Sequence, residues 1–542
     1  MKRIIVILLE CIAVLGLQAQ VAESMRIYTD KDCYLAGEDL WIKVCVTDSL
    51  FRENVLSKVA YIEICDTEKI CVCTKIFLQD GNGWGRIRLP QTIRTGIYQL
   101  TAYTRYMRNY SVNSFPKKNI ALLNAFQVIE ENSAEVITDS ICMSPVDEQV
   151  QLVRSDRLVY GNRCKVVLTL PELPVNTKEL TLSVVRKDCL LANQSLLFDN
   201  AIIDDTVQHQ HFVAECEGHI VTARLIGALV DSVDAQLSCV GRDIRLFDGQ
   251  SQSDNTYSFY TTGLINNQNV VLTALPEKES SCRLEFVSPF IGVLPQVLPK
   301  LKLLFQKEAL IERCLGVQIY SSLLVDSLSI YQSEDISGQL DSFTPISTYY
   351  LDEYTRFNTL RETILEFVKG VRISKTDDKT VIKILQPDFK QFSNLRTLVL
   401  LNGVPISDHE KILDFNAQLI YAIHRYSGLY TFGGEVYDGI LSFMTYKCSL
   451  QDICLDRNSR LFFYEFPQKK PVFISPIYSS EKQIKSRIPD FRHTLYWNPE
   501  ITPTTRTVSF YTSDMNGVYC ITLQGVSAKG EMMKLQSEFI VK

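Results

Sequence analysis

The stretch Leu398–Phe415, LVLLNGVPISDHEKILDF, decides how the chain divides. A short apolar strand runs into Asn402-Gly403-Val404-Pro405, then a polar turn. A helix start follows, with Ser407 and Glu410 at the spacing of a capping box. Upstream, Thr359-x-x-Glu362 forms a second capping box before a stripe of Leu360, Ile364, Phe367 and Val368, and Gly370 stops that helix. Strands are expected at 371–373, 380–385 and 397–401, and again at 419–426 and 439–446. Residues 346–449 therefore read as one α+β domain, within the ordinary size range of a domain.

The rest of the chain follows a different grammar. Short runs rich in β-branched and aromatic residues, such as LWIKVCV (40–46), VAYIEIC (59–65), ICVCTKIFL (70–78) and GIYQLTAYT (96–104), are separated by turn residues. Strands at this spacing predict a sandwich over 20–129. Asp30-Lys31-Asp32-Cys33-Tyr34 precedes the strand at 40–46, and Asp156-Arg157-Leu158-Val159-Tyr160 precedes CKVVLTL at 164–170. An acid, a base and a tyrosine at one spacing ahead of an alternating strand point to a repeated domain, placed at 145–212 with a polar linker at 130–140. A third β-rich domain is expected at 213–298, a helical or irregular connector at 299–345 and a final sandwich at 455–542. The fold class is mainly β, with tandem sandwiches and one α+β domain. Within the connector, Leu301, Leu304, Phe305 and Ala309 fall near one helical face.

Met1-Lys2-Arg3, the apolar stretch Ile4–Leu17 and Leu17-Gln18-Ala19 read as a secretory signal over 1–19. Glu10 stands before Cys11 where a lipoprotein signal wants a small residue, so cleavage is expected over a lipid anchor. No segment approaches the roughly 18 apolar residues of a membrane helix. The mature chain is expected in the periplasm or at the outer membrane, peripheral to it. A net charge of −6 argues against nucleic acid. There are 16 cysteines, with Cys11 in the leader, so an odd number remains. Buried thiols are the first reading and a few disulfides the second. Cys71-x-Cys73 lacks a second ligand pair for zinc.

Two resemblances follow from these residues. Tyr28-Thr29-Asp30-Lys31, Tyr34, Ala36-Gly37-Glu38, Trp41-Ile42-Lys43, Gly81 to Gly85, Leu89-Pro90 and Gly96-Ile97-Tyr98 resemble the macroglobulin-like sandwich near the start of α-2-macroglobulins. Leu398–Pro405 and Tyr437–Phe443 resemble the plug domain of TonB-dependent outer-membrane receptors. A receptor barrel needs about 22 strands, and only 95 residues follow position 447, so transport through this chain is not expected. The combination resembles a family of Gram-negative envelope proteins, in which RIPDFRHTLYWNP (487–499) looks like a signature without known chemistry. The resemblance implies a non-enzymatic envelope binding or scaffold protein that engages another envelope protein through the plug-like domain. The alternative is an accessory, glycan- or peptide-binding component of a TonB-dependent uptake system. Asn402, Gly403, Val404, Pro405, Asp438 and Gly439 are the candidate partner-binding residues.

No catalytic, cofactor or metal residue is assigned. The Cys-Gly-Glu-Gln run of a thioester trap is absent. His209-x-His211 lacks a completing ligand pattern, His424 reads as a sheet-face residue, and Asp204-Asp205 and Asp377-Asp378 read as solvated loops. Phe462-Phe463-Tyr464 and Tyr496-Trp497-Asn498-Pro499 read as sandwich core before binding face.

Overall fold

The computed structural model describes residues 22–48, 56–127, 134–137, 153–187, 190, 198–199, 212–227, 233–252, 254–276, 281–304, 307–320, 322, 344–376, 379–386, 391–392, 395–432, 435–448, 450, 455–527 and 530–542. The leader, Cys11, most of the 130–140 linker, Asp204-Asp205, His209, His211 and Asp377-Asp378 lie outside these residues. The described chain is mostly strand, as the mainly β reading expects. It divides into two units, residues 1–216, 290–332 and 467–542 in one, and 217–289 and 333–466 in the other.

The first unit opens with eight strands: β1 (Glu23–Thr29), β2 (Cys33–Leu35), β3 (Asp39–Asp48), β4 (Val59–Cys65), β5 (Ile70–Phe77), β6 (Asn82–Arg88), β7 (Gly96–Thr104) and β8 (Lys117–Leu123). One sheet runs β1-β3-β6, and the other runs β8-β7-β4-β5, with β2 parallel to β8 and the short strand Phe198–Asp199 antiparallel to it. In β3 the odd and even rows are both covered. Leu40, Ile42, Val44 and Val46 enter the sandwich core. Trp41 and Cys45 pack with Tyr28 and Trp497 on the other face. Lys43, between them, is buried and donates from Nζ to the carbonyls of Leu180 (3.2 Å) and Pro499 (2.7 Å). Burial on both faces is why this strand is near-continuously apolar.

The second sandwich repeats this layout strand for strand. Its first half is β9 (Arg154–Ser155), β10 (Val159–Tyr160), β11 (Lys165–Thr169) and β12 (Lys178–Arg186). Its second half comes from the far end of the chain: Thr494–Asn498, Thr507–Tyr511, Gly517–Val526 and Met532–Val541. One sheet runs β9, β11 and Thr507–Tyr511. The other runs β10, Met532–Val541, Gly517–Val526, β12 and Thr494–Asn498. These are the orders of β1-β3-β6 and β2-β8-β7-β4-β5. The parallel pair recurs as β10 with Met532–Val541. The segments read as a second and a final sandwich thus form one domain, interrupted between its fourth and fifth strands by residues 187–493. In the first copy the same connection is the short turn after Cys65, where Asp66 accepts from the Glu68 and Lys69 amides.

The repeated motif is a hydrogen-bonded corner. Tyr34 Oη donates to Asp30 Oδ1 at 2.8 Å, and the same oxygen accepts from the Trp41 amide at 3.2 Å. Tyr160 Oη donates to Asp156 Oδ1 at 2.7 Å, and that oxygen accepts from the Val167 amide at 2.8 Å. A second repeated device ties the last hairpins: Tyr98 Oη donates to the Arg94 carbonyl, and Tyr519 Oη to the Met515 carbonyl, both at 2.9 Å. A tyrosine whose hydroxyl reaches back to upstream backbone is a known brace of sandwich domains.

RIPDFRHTLYWNP is where the chain re-enters the second sandwich. Asp490 and Arg492 are both buried and form a bidentate pair, 2.8 Å from Nε to Oδ1 and 2.7 Å from Nη2 to Oδ2. Burial alone would lift the Asp490 pKa, but Arg492 overcomes it and holds the carboxyl below its usual range. Leu495 fills the second core, Thr494 donates to Asp30 Oδ2 at 2.9 Å, and Trp497 meets the outer face of β3.

The connector differs from expectation. Leu301–Leu304 is a strand, parallel to Ala134–Ile137, with Leu301 and Leu303 buried. Period-2 burial against a partner strand overrides the helical spacing there. Helix α1 (Lys307–Ile319) follows, and its residues Ala309, Leu310, Cys314 and Val317 pack over β2, β7 and β8.

In the second unit, Gly218–Gly227, Val233–Cys239, Leu246–Ser251, Thr256–Thr262, Asn267–Pro276 and Cys282–Phe286 form one sheet. It is completed by Ser459–Glu465, which the sequence had assigned to the final sandwich. The α+β domain has the sheet order Ser347–Tyr350, Ile420–Phe432, Glu435–Thr445, Arg396–Leu401, Val404–Pro405. Helix α2 (Leu360–Phe367) begins at the Thr359–Glu362 capping box, as expected. Helix α3 (His409–Leu413) is capped by Asp408, whose carboxylate accepts from the Glu410 amide at 3.1 Å. Ser407 instead bonds the Asp456 carboxylate, which also accepts the Ser407 amide at 2.9 Å.

Among the described residues no disulfide forms, and Cys33, Cys45, Cys65, Cys239 and Cys282 are buried. No helix there is long and apolar enough to cross a membrane.

Candidate functional site

The Asn-Gly-Val-Pro turn is interior. Asn402 is fully buried in the left-handed region at φ +48°. Its side chain closes a two-way bond with Thr445, Nδ2 to Oγ1 at 2.9 Å and Oδ1 from the amide at 2.8 Å. Gly403 has φ +80°, and a Cβ there would lie 2.7 Å from the Cys239 carbonyl. The Gly241 amide donates to the Asn402 carbonyl at 2.9 Å. Val404 packs with Val271 and Leu450, and Pro405 is half-buried. The turn is therefore a plug fitted against the 239–243 turn of the neighbouring β domain. Asp438 is buried and accepts from Gln386 Nε2. Gly439 has φ +87°, with Ile384 Cβ 3.1 Å from where its own Cβ would stand. Five of the six candidate residues are buried, and Pro405 is half-buried. The Asn402–Pro405 turn follows the end of Arg396–Leu401, while Asp438 and Gly439 lie within Glu435–Thr445 near its start, so the two do not form one site.

The same domain carries an aromatic face that the sequence reading missed. Tyr350 ends its strand, paired with Ala422. Tyr421 is the extra residue of a bulge, since Ile420 pairs with Thr445 and Ala422 with Met444. A bulge re-aims the side chain it inserts. Tyr446 follows the strand Glu435–Thr445. The three rings form a row, with centroids 5.6 Å apart from Tyr350 to Tyr421 and 5.6 Å from Tyr421 to Tyr446. Arg242 lies 5.8 Å from the Tyr421 ring centre and Arg356 5.7 Å from that of Tyr446. Tyr350 is 41% exposed and Tyr446 46%, so the row is open to a partner. Arg356 is held rigidly by the Ile420 carbonyl at 2.8 Å and by Asp352. Tyr446 Oη donates to Asp352 at 2.5 Å, which raises the tyrosine pKa and lowers that of the carboxyl.

The first unit contains a pocket with room for about 80 Å³. Trp41, Val317, Phe473, Ile474 and Met515 give it apolar walls, and Arg86, Tyr320 and His493 line it as polar groups. At its base Glu38 takes both Arg313 Nε and Nη2 at 3.0 Å, with Lys31 Nζ at 2.8 Å. Burial alone would raise the Glu38 pKa, but Arg313 and then Lys31 drive the carboxyl far below its usual range. Burial is also the largest effect on Tyr320, whose pKa is pushed up to about 12.

His424 lies half-buried with Nδ1 2.9 Å from Thr348 Oγ1, and burial lowers its pKa. Tyr464 and Trp497 are buried in packing clusters, as read, whereas Phe463 is 66% exposed. Among the described residues no three His, Cys, Asp or Glu side chains converge on a metal position.

No family model and no curated protein matches the chain. Among solved structures, the native Escherichia coli α-2-macroglobulin aligns at 8% identity and a TM-score of 0.24, over 97% of this chain and 40% of that one. The elastase-activated form aligns at 9% identity and a TM-score of 0.25, over 96% and 44%. Latent PorU from Porphyromonas gingivalis aligns at 10% identity and a TM-score of 0.15, over 96% and 34%. The chain thus spans less than half the length of these proteins. Likenesses this distant leave the fold to be argued from its own strands, as above.

Proposed function

We propose that the chain is a non-enzymatic cell-envelope binding protein that engages another envelope protein through its plug-like α+β domain. The observation that carries this is the row Tyr350–Tyr421–Tyr446 with Arg242 and Arg356 beside it. Tyrosine and arginine are the residue types that concentrate binding energy in protein interfaces, because large, rigid or pre-held groups lose little entropy on docking. The contact surface is the tyrosine row, and the Asn402–Pro405 turn holds the domain that displays it. The leader pattern of residues 1–19 supports export across the inner membrane to the periplasm or the outer membrane.

The test is crosslinking of the tagged chain in intact envelope. A partner is expected in near-stoichiometric yield with the native chain and not with the triple variant Tyr350→Ala, Tyr421→Ala, Tyr446→Ala. Equal recovery with the variant would refute the reading. The pocket beside Trp41 and Arg86 favours a second reading, a glycan or peptide ligand bound as an accessory to TonB-dependent uptake. A ligand that raises the melting temperature of the native chain but not of Arg86→Ala would move the weight there.

A further inference from the structure

The first unit also presents an exposed segment, the short helix Glu481–Ile484 and the loop that follows it. Residues 481–488 (EKQIKSRI) are all exposed. Ile484 is 46% exposed and Ile488 56%. Lys482, Lys485 and Arg487 alternate with them, against one carboxylate, Glu481, whose bond to Lys485 (3.2 Å) lies fully in solvent. What sets this segment apart is that its two exposed isoleucines alternate with three cations.

Beneath the loop, one arginine satisfies its backbone. Arg163 is buried and sits at φ +52°. Its Nη1 donates to the carbonyls of Gln483 (3.2 Å), Ile484 (3.0 Å) and Ser486 (2.9 Å), and Nη2 donates to that of Ile488 (2.8 Å). Asp514 fixes the guanidinium from behind, 2.8 Å from Nε and 2.6 Å from Nη2. Tyr478 lies over it, ring centre 5.3 Å from Cζ. Four carbonyls of an exposed loop are thus satisfied from within the protein.

This arrangement meets the requirement for leaving water. Backbone acceptors that already have partners in the protein lose less on leaving water for the boundary of a bilayer. Aliphatic tips flanked by lysine and arginine suit the boundary between headgroups and acyl chains. The loop is also a cationic spot on a chain of net charge −6, so an anionic bilayer attracts it and repels the remainder. We propose that residues 481–488 form a peripheral membrane-docking loop for anionic phospholipid surfaces. The inference stands independently of the tyrosine row.

The experiment is co-sedimentation of the full chain with vesicles of phosphatidylglycerol and phosphatidylcholine, and with phosphatidylcholine alone, at low salt. The native chain is expected to bind the anionic vesicles selectively. Each cation near an anionic surface is worth about fivefold in partitioning, so Lys482→Gln/Lys485→Gln/Arg487→Gln lowers binding on the order of 100-fold. Ile484→Asp/Ile488→Asp lowers it about tenfold or more. Val175→Asp, at another exposed apolar residue, leaves it unchanged. Circular dichroism identical to the native chain separates loss of docking from loss of fold. Absence of native binding, equal binding to neutral vesicles, or undiminished binding by Ile484→Asp/Ile488→Asp would overturn the proposal. A photocrosslink from position 488 to a protein in intact envelope, without lipid adducts, would overturn it in favour of a protein partner.

Discussion

Arg313→Met tests the base of the first sandwich. The guanidinium is 2% exposed and its partner Glu38 7%, so neither charge has water to fall back on. The substitution keeps the bulk of the side chain but leaves Glu38 with the Lys31 ammonium and the Leu35 amide. It also removes the donor to the Cys33 carbonyl at 2.8 Å. Breaking a buried ion pair from one side costs about 3–5 kcal/mol. Adding Glu38→Gln removes the stranded charge and should recover about half of that loss.

The pH dependence follows from the sign of the shift. Burial opposes ionisation of Glu38, but Arg313 and Lys31 outweigh it and depress the folded-state pKa. A depressed carboxyl contributes stability above its unfolded value of about 4.3 and loses it as the pH falls toward the folded value. In Arg313→Met that contribution shrinks or reverses, so the deficit against the native protein is full near neutrality and narrows as the pH falls. The three tryptophans, Trp41, Trp84 and Trp497, all lie buried in the first unit and none in the second. Urea unfolding followed by tryptophan fluorescence therefore reports this unit alone. A loss under about 1 kcal/mol, or one equal at about pH 3 and about pH 7.5, would refute the reasoning.

Other expectations concern the repeated corners and the two faces of the α+β domain. Tyr34→Phe should cost about 1–3 kcal/mol, since Asp30 is only 4% exposed and loses a donor. Tyr160→Phe should cost less, about 0.5–1.5 kcal/mol, because the Asp156 side chain is 39% exposed; the same fluorescence titration ranks the two. Gly403→Ala places a Cβ against the Cys239 carbonyl at positive φ and should destabilise the second unit by about 1–3 kcal/mol. Hydrogen exchange should then rise in 396–445 while the tryptophan transition stays in place. Tyr421→Ala should leave both units as stable as before, within about 0.5 kcal/mol by urea titration, and weaken partner capture.

The repeat was legible where its chemistry is local. Asp30 to Tyr34 and Asp156 to Tyr160 are five-residue corners, and their spacing survives in the strands they brace. The division of the second sandwich was hidden because its fourth and fifth strands, β12 and Thr494–Asn498, are hydrogen-bonded neighbours far apart in sequence. One signal was present: Gly517-Val518-Tyr519 repeats Gly96-Ile97-Tyr98, and both tyrosines make the same backward bond. The Asn402–Pro405 turn was read correctly as a turn but not as a buried one. Left-handed residues are demanded equally by a solvent turn and by one pressed against Cys239–Asp243, so sequence cannot separate them. The tyrosine row was invisible because its residues come from two strand ends and one bulge, with no shared period.

The most direct measurement places a photocrosslinking amino acid at position 421 in one sample and at position 402 in another, in intact envelope. The account predicts a single protein adduct from 421 and none from 402. An adduct from 402, or none from 421, would contradict it.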